Sequence, residues 1–291
     1  MLLTNESMSW HTSFRIGGAA DYYAKVSDLD DLAQAVFFAH SKELPIFVLG
    51  GGSNILVSDQ GIRGLVIENR IQPVSISCDG RLRAGSGVPL TSLARLASRH
   101  GLAGLEWAAG IPGTLGGAIV ANAGAFGYSM ADALSWVGVL SRECTELILC
   151  KDELAFGYRT SLFKESRART EAGVILEAEL ALQPAPREVV EASLKECIQS
   201  RKLTQPIGPS AGSIFKNPPG DSAGRLIEAA GLKGYRLGNA QISPKHANFV
   251  VNMGNARASD VANLIDLARD HVKECFGIRL DLEIEKVGEW Q

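Results

Sequence analysis

No run of about 18 apolar residues occurs in this sequence, so nothing in it reads as a helix crossing a membrane. The opening "MLLTNESMSW" has no basic stretch leading into an apolar one, which argues against a secretory signal. Cysteine is scarce: Cys78, Cys144, Cys150, Cys197 and Cys275 are odd in number, scattered and without a CxxC pair. That excludes a disulfide frame or thiolate zinc site and predicts reduced, mostly buried thiols in a cytoplasmic protein. The five histidines are equally dispersed, which leaves metal catalysis without a ligand cluster. Long basic runs are missing, the formal net charge is −3, and the mixed-sign "KESRARTE" (164–171) reads as a solvated face. Neither nucleic acid nor an anionic membrane is expected as a partner. Two nucleotide signatures are absent as well. No Gly-Lys-Ser/Thr follows the glycines at 50–52, so there is no P-loop. "GSGVPL" (85–90) puts proline and leucine where a Rossmann fingerprint needs its third glycine and helix start.

What is present is an ordinary globular composition, 46% hydrophobic and 21% charged, in 291 residues, long enough for two domains. The first segment reads βαβ. Leu29, Leu32, Ala33, Val36 and Phe37 fall on one helical face, Ser27 and Asp30 suit its start, and Pro45 lies beyond its end. "IFVL" (46–49) is then a buried strand feeding "GGGSN". From about residue 62, short β pieces broken by glycine suggest a second lobe, interrupted by a helix around "LTSLARLASRHG" that stops at Gly101. "LQPAPRE" (182–188) is the best boundary. Beyond it come a helix with Val190, Leu194, Cys197 and Ile198 on one face and a short helix from an Asp221 cap to Gly231. The strand "NFVVN" follows, then a long helix from about Ser259 with Val261, Leu264, Ile265, Ala268 and Val272 inward. "RLDLEIEKV" alternates as a final strand, Leu280, Leu282 and Ile284 on one face, Asp281, Glu283 and Glu285 on the other.

Four stretches carry candidate chemistry. "LGGGSNILVSDQG" (49–61) runs a strand into three glycines, where backbone N–H groups can converge on a diphosphate with Ser53 and Asn54 as further donors. A hairpin turn is the alternative, although three glycines cost entropy that a turn does not require. "GIPGTLGGAIVANAGAFG" (110–127) has no charge, with Thr114 and Asn122 as polar points. It suits backbone approach to a large flat ligand or else a tightly packed core crossing; two such loops favour a dinucleotide-sized ligand. In "FGYRTSLFK", Arg159 is either a surface ion-pair partner or a ligand-facing cation. "GPSAGSIFKNP" (208–218) is a decorated turn, or a backbone thinned so that Ser213, Lys216 and Asn217 reach a ligand.

In order along the chain, "HTSFRIGGAA", "LGGGSNILVSDQGIRGLVI", "GIPGTLGGAIVANAGAFG", "YRTSLFK", "AGSIFKNP", "AGRLIEAAGLKGYRLGNAQISPKHANFVVN" and "LDLEIEKVGE" resemble the UDP-N-acetylenolpyruvoylglucosamine reductases, flavoenzymes of peptidoglycan precursor synthesis. The resemblance implies an α+β protein. A two-lobed FAD-binding fold of the vanillyl-alcohol-oxidase type would span 1–183, with lobes of about 1–68 and 69–183, and a substrate-binding domain 184–291. It implies FAD as cofactor, NADPH as co-substrate and a UDP-sugar as substrate, with no obligate protein partner.

Carried over position by position, the resemblance makes Ser213 the proton donor and sets Arg159 and Glu283 to stabilise the enolate. Asn217, Lys202 and Lys216 become substrate contacts, and Gly50, Gly51, Gly52, Ser53 and Asn54 the flavin diphosphate loop. Gly113, Thr114, Gly117, Asn122 and Gly124 are the matching cofactor positions in the second loop. Glu283 is chosen over its neighbours by taking Gly277 and Gly288 as anchors, since alternation alone leaves 281, 283 and 285 equivalent. The short passage from "VILEAELAL" to "PAP" resembles the shorter family form, so no substrate tyrosine is carried over. A flavin oxidase, with His11 as the candidate for covalent attachment, and a UDP-sugar-binding regulator with a dead flavin site are the rival readings.

Overall fold

The computed structural model describes residues 2–77, 79–141, 145–164 and 173–290. Cys78, Cys144 and most of the 164–171 face lie outside them. Strands β1 (Leu2–Ser7), β2 (Ala19–Val26), β3 (Ile46–Leu49) and β5 (Ile62–Asn69) form a mixed sheet in the order β1-β2-β5-β3; β4 (Ile55–Val57) lies apart from it. β2 and β3 both run parallel to β5, and α1 (Leu29–Ser41) is the crossover between them, as the βαβ pattern requires. Leu32, Ala35, Val36 and Ala39 of α1 are buried, whereas Phe37 is 75% exposed. The inward face is thus rotated by one position from the expected one. Asp28, not Ser27, caps the helix by accepting from Asp31 N–H.

The second lobe is an antiparallel sheet that packs on α2 (Leu90–Arg99) and α3 (Leu115–Val120). Its strand order is Glu146–Cys150, Leu134–Leu140, Val174–Ala181, β7 (Arg81–Gly85), β6 (Val74–Ile76). A third core gathers around helix Ala258–Phe276, with Val261, Leu264, Ile265, Ala268 and Val272 all inward and Gly277 ending the helix at φ 69°. Phe14, Ile16 and Leu56 of the first lobe belong to this same core, so the C-terminal region is welded to the N-terminal one. Asp59 strengthens the weld by accepting from Ala258 and Ser259 N–H at the helix start. Burial alone would raise its pKa, but those amides, the Ser259 side chain and the Arg257 charge hold it below the usual carboxylate value.

Three further expectations shift. Ser222, not Asp221, caps helix Ala223–Ala229. Cys150 and Cys275 are exposed and Cys197 only part-buried, so the described thiols are not a buried set. The last strand is short: only Glu285–Val287 is regular, paired in parallel with β4. Residues 281–284 instead hydrogen-bond along 214–216, Lys216 N–H to Asp281 C=O and Glu283 N–H to Ile214 C=O.

Candidate active site

β3 delivers the chain into Gly50–Asn54 at its carboxyl end, where open sheets of this kind place ligands. The loop touches the second glycine stretch backbone to backbone. A Cβ on Gly51 would lie 2.7 Å from Gly113 Cα, and one on Gly50 would lie 2.5 Å from Thr114 Oγ1. Gly52 is left-handed at φ 57° and its Cβ would meet His11 C=O at 2.1 Å, so no other residue fits there. Ser53 Oγ ties the loops together by donating to Pro112 C=O at 3.0 Å. Among the described residues, the amides of Gly51, Gly52 and Ser53 donate to no protein acceptor. Unspent N–H groups on an uncharged, glycine-rich loop are what a diphosphate binds, so the residues present fit a flavin dinucleotide.

The second loop offers less. Thr114 caps α3 by accepting from Gly117 N–H, while Leu115 and Gly116 N–H donate to Val88 and Ser86 C=O. Asn122, left-handed at φ 42° and buried, spends its amide on Gly157 C=O and Ala131 N–H. Gly124 C=O receives Arg159 Nη2.

That bond opens onto a cluster of charge. Arg159 Nε donates to Glu283 Oε1 at 2.8 Å, with each side chain about 20% exposed. The Glu283 carbonyl accepts from Asn54 Nδ2 and from Lys164 Nζ, each at 3.2 Å, so the diphosphate loop and the arginine segment hold the same residue. Ser213 lies next to Ile214, which pairs with Glu283, and Lys216 acts on the Glu283 charge. Asp281 is exposed, and only Glu283 of the three acids on the final stretch meets Arg159. Arg159 sits at φ 57°, an unfavourable conformation for a residue with a side chain and one that collects at functional sites.

The structure thus brings Ser213, Arg159, Glu283 and Lys216 together. Asn217 stands apart, exposed, its Oδ1 accepting from Ala223 N–H. Lys202 is also exposed, and its carbonyl accepts from Lys245 Nζ. Two residues near the cluster escaped sequence reasoning: Lys164, within the quoted "YRTSLFK", and Arg201, beside Lys202.

Residues 202–287 match the family description "UDP-N-acetylenolpyruvoylglucosamine reductase, C-terminal domain", and residues 20–147 match "FAD binding domain". A UDP-N-acetylenolpyruvoylglucosamine reductase of Desulforamulus reducens is 47% identical over 289 residues, covering 98% of this chain and 93% of that protein. The chain belongs to the UDP-N-acetylenolpyruvoylglucosamine reductase family. A second relative, reductase 2 of Symbiobacterium thermophilum, is 45% identical over 96% of this chain and 90% of its own length. The crystal structure of the reductase from Thermus caldophilus matches over 99% of this chain and 98% of that one, at a TM-score of 0.83 and 38% identity. Membership carries the FAD-binding α+β fold with it.

Within the reductase, His11 lies under the diphosphate loop with both ring nitrogens engaged, Nδ1 by Glu68 and Nε2 by Glu6. Tyr23 and Arg70 also reach the buried Glu68 carboxylate. Both ring nitrogens of His11 are thus spent on carboxylates.

Burial pushes the Glu283 carboxyl above its ordinary value of 4.5, and Arg159, Lys164 and Lys216 pull it back without cancelling the shift. An acid raised in the folded state binds its proton more tightly there than when unfolded. Its neutral form adds stability below the unfolded value, and this is lost as pH rises through the folded one. Flavin-free protein should therefore lose stability relative to Glu283→Gln as pH is raised from below 4.5 through the raised folded value, read by urea unfolding. Wild-type protein that instead gains stability relative to Glu283→Gln as pH rises would mean that Arg159 outweighs burial.

Proposed function

We propose that this chain reduces the enolpyruvyl group of UDP-N-acetylenolpyruvoylglucosamine to UDP-N-acetylmuramate, with Ser213, Arg159 and Glu283 as its catalytic residues. Family membership carries the reaction, and the Arg159–Glu283 pair next to Ser213 is the observation that supports the residue roles. Residues 1–183 hold FAD, chiefly through the Gly50–Asn54 amides and the Gly113–Gly124 loop. Residues 184–291 supply the UDP-sugar contacts, with Lys202, Lys216 and Asn217 as their candidates. FAD, when bound, would supply the hydride chemistry that links NADPH to the substrate alkene. Hydride arrival at one alkene carbon leaves negative charge on the other, conjugated into the carboxylate. Arg159 faces that charge, while Glu283 fixes the guanidinium and Ser213 gives the proton. Product forms when one hydride and one proton have been added across the double bond.

The reductase is proposed to work in the cytoplasm on small molecules, without nucleic acid, membrane or an obligate protein partner. Among the described residues no helix is long and apolar enough to cross a membrane.

Glu283→Gln tests the assignment. NADPH should still bleach the flavin at the wild-type rate, while oxidation by the UDP-sugar slows by about 10²-fold or more. Asp281→Asn and Glu285→Gln are the controls, since neither carboxylate pairs with Arg159. Greater loss in a control than in Glu283→Gln would show that the acid was wrongly assigned.

A further inference from the structure

Arg201 lies in the last turn of helix Arg187–Thr204, and its Nε is buried without a hydrogen-bond partner. Its stem packs over Gly110, where a Cβ would come 3.4 Å from Arg201 Cδ. The groups acting on its charge are Cys197, one turn back, and Arg159. Burial, first, and the Arg159 charge hold its pKa below the usual arginine range. Among the described residues no carboxylate stands within ion-pair distance of it, and Glu283 is already engaged by Arg159 at 2.8 Å. Lys164 and Lys216 add positive charge around Glu283. Arg159 and Arg201 are therefore like charges acting on each other, and among the described residues only Arg159 of the two has a carboxylate partner. Like charges repel, and a buried N–H without an acceptor has given up its water for nothing. An anion entering between Arg159 and Arg201 relieves both.

We propose that Arg201 binds the carboxylate of the enolpyruvyl group. The inference rests on the reading above, in which Arg159 faces the reacting carbons. The carboxylate is bonded directly to one of those carbons, so it must come into the space around Arg159. The substrate diphosphate is separated from them by the sugar ring. A planar guanidinium fork grips both carboxylate oxygens, and keeps that group in the plane through which the enolate charge spreads.

Arg201→Met keeps the stem on Gly110 and removes the charge, and Arg201→Lys restores a point charge without the fork. Calorimetry on the oxidised, flavin-loaded protein should show affinity for UDP-N-acetylenolpyruvoylglucosamine falling by about 10- to 100-fold in Arg201→Met, partly recovered in Arg201→Lys. Affinity for UDP-N-acetylglucosamine, which lacks the carboxylate, should not change. The rate at which NADPH reduces the flavin should not change either. Equal losses for both UDP-sugars would place Arg201 on the diphosphate and overturn the proposal. A slowed NADPH step, or unchanged affinities throughout, would overturn it too. Failure of the underlying reading looks different: wild-type protein, reduced by NADPH, would then not be reoxidised by the enolpyruvyl sugar at all.

Discussion

Ser213→Ala should give a yellow protein that NADPH reduces normally but that the UDP-sugar reoxidises about 10²- to 10⁴-fold more slowly. The hydroxyl matters only after hydride has reached the alkene, since no strong base exists in the site before then. Serine is a weak acid in water, so its proton leaves only for an acceptor as basic as an enolate, and with cations close by. Cations gather around Glu283, whose backbone meets the segment that carries Ser213. Ser213 is fixed in the chain by its bridge to Phe249, one residue from the Ile214 carbonyl that accepts from Glu283 N–H. Arg159 and Lys216 lie around that same glutamate. Rapid mixing with NADPH and then with substrate resolves both steps in one preparation. Reoxidation at the wild-type rate would assign the proton to another donor.

Gly51→Val should purify without flavin. The new Cβ would stand 2.7 Å from Gly113 Cα, with backbone on both sides, so the two loops must part. Parting them displaces the free amides of Gly51, Gly52 and Ser53. Loss of two hydrogen bonds to a charged diphosphate, each worth about 1.5–3 kcal/mol, weakens FAD binding by roughly 10²- to 10⁴-fold. Circular dichroism and thermal unfolding of flavin-free wild type and variant keep a folding defect apart from a binding defect. Gly51→Ala, with the smaller side chain, should retain part of the affinity. A folded Gly51→Val protein with full flavin occupancy would make the loop an ordinary turn.

Much of this architecture was legible because it depends on neighbours in sequence. Helix Ala258–Phe276 buries the five residues that its periodicity picks out, and "IFVL" is the strand that feeds the glycines. Where local pattern failed, a distant contact had overruled it. Strict alternation from Leu280 to Val287 predicts one long strand, but residues 281–284 are captured by 214–216 and only Glu285–Val287 joins β4. The same capture separates Glu283 from Asp281 and Glu285, which alternation had left equivalent. Phe37 obeys the helical period yet faces outward, because the core beneath α1 is met by Ala35 and Ala39 instead. Lys202 drew notice through its motif, whereas Arg201 beside it has no local signal. Its significance lies in an unpaired Nε and the nearness of Arg159, 42 positions earlier in the chain, and no spacing rule encodes either.

The parallel pairing of Glu285–Val287 with Ile55–Val57 sets a schedule for the making of the protein. Ile55 faces Glu285, 230 positions later, so β4 leaves the ribosome long before its partner exists. At about 5–20 residues per second, that interval is roughly 10–50 seconds of translation. Throughout it Asn54, directly before β4, lacks the glutamate whose carbonyl it will hold, and the diphosphate loop is unbraced on that side. On the proposed role of that loop, flavin capture is expected at the end of synthesis, after the segment carrying Glu283 has closed on the first lobe. A nascent chain stopped short of that segment exposes the β4 edge and Leu56, which makes it a natural client for chaperones.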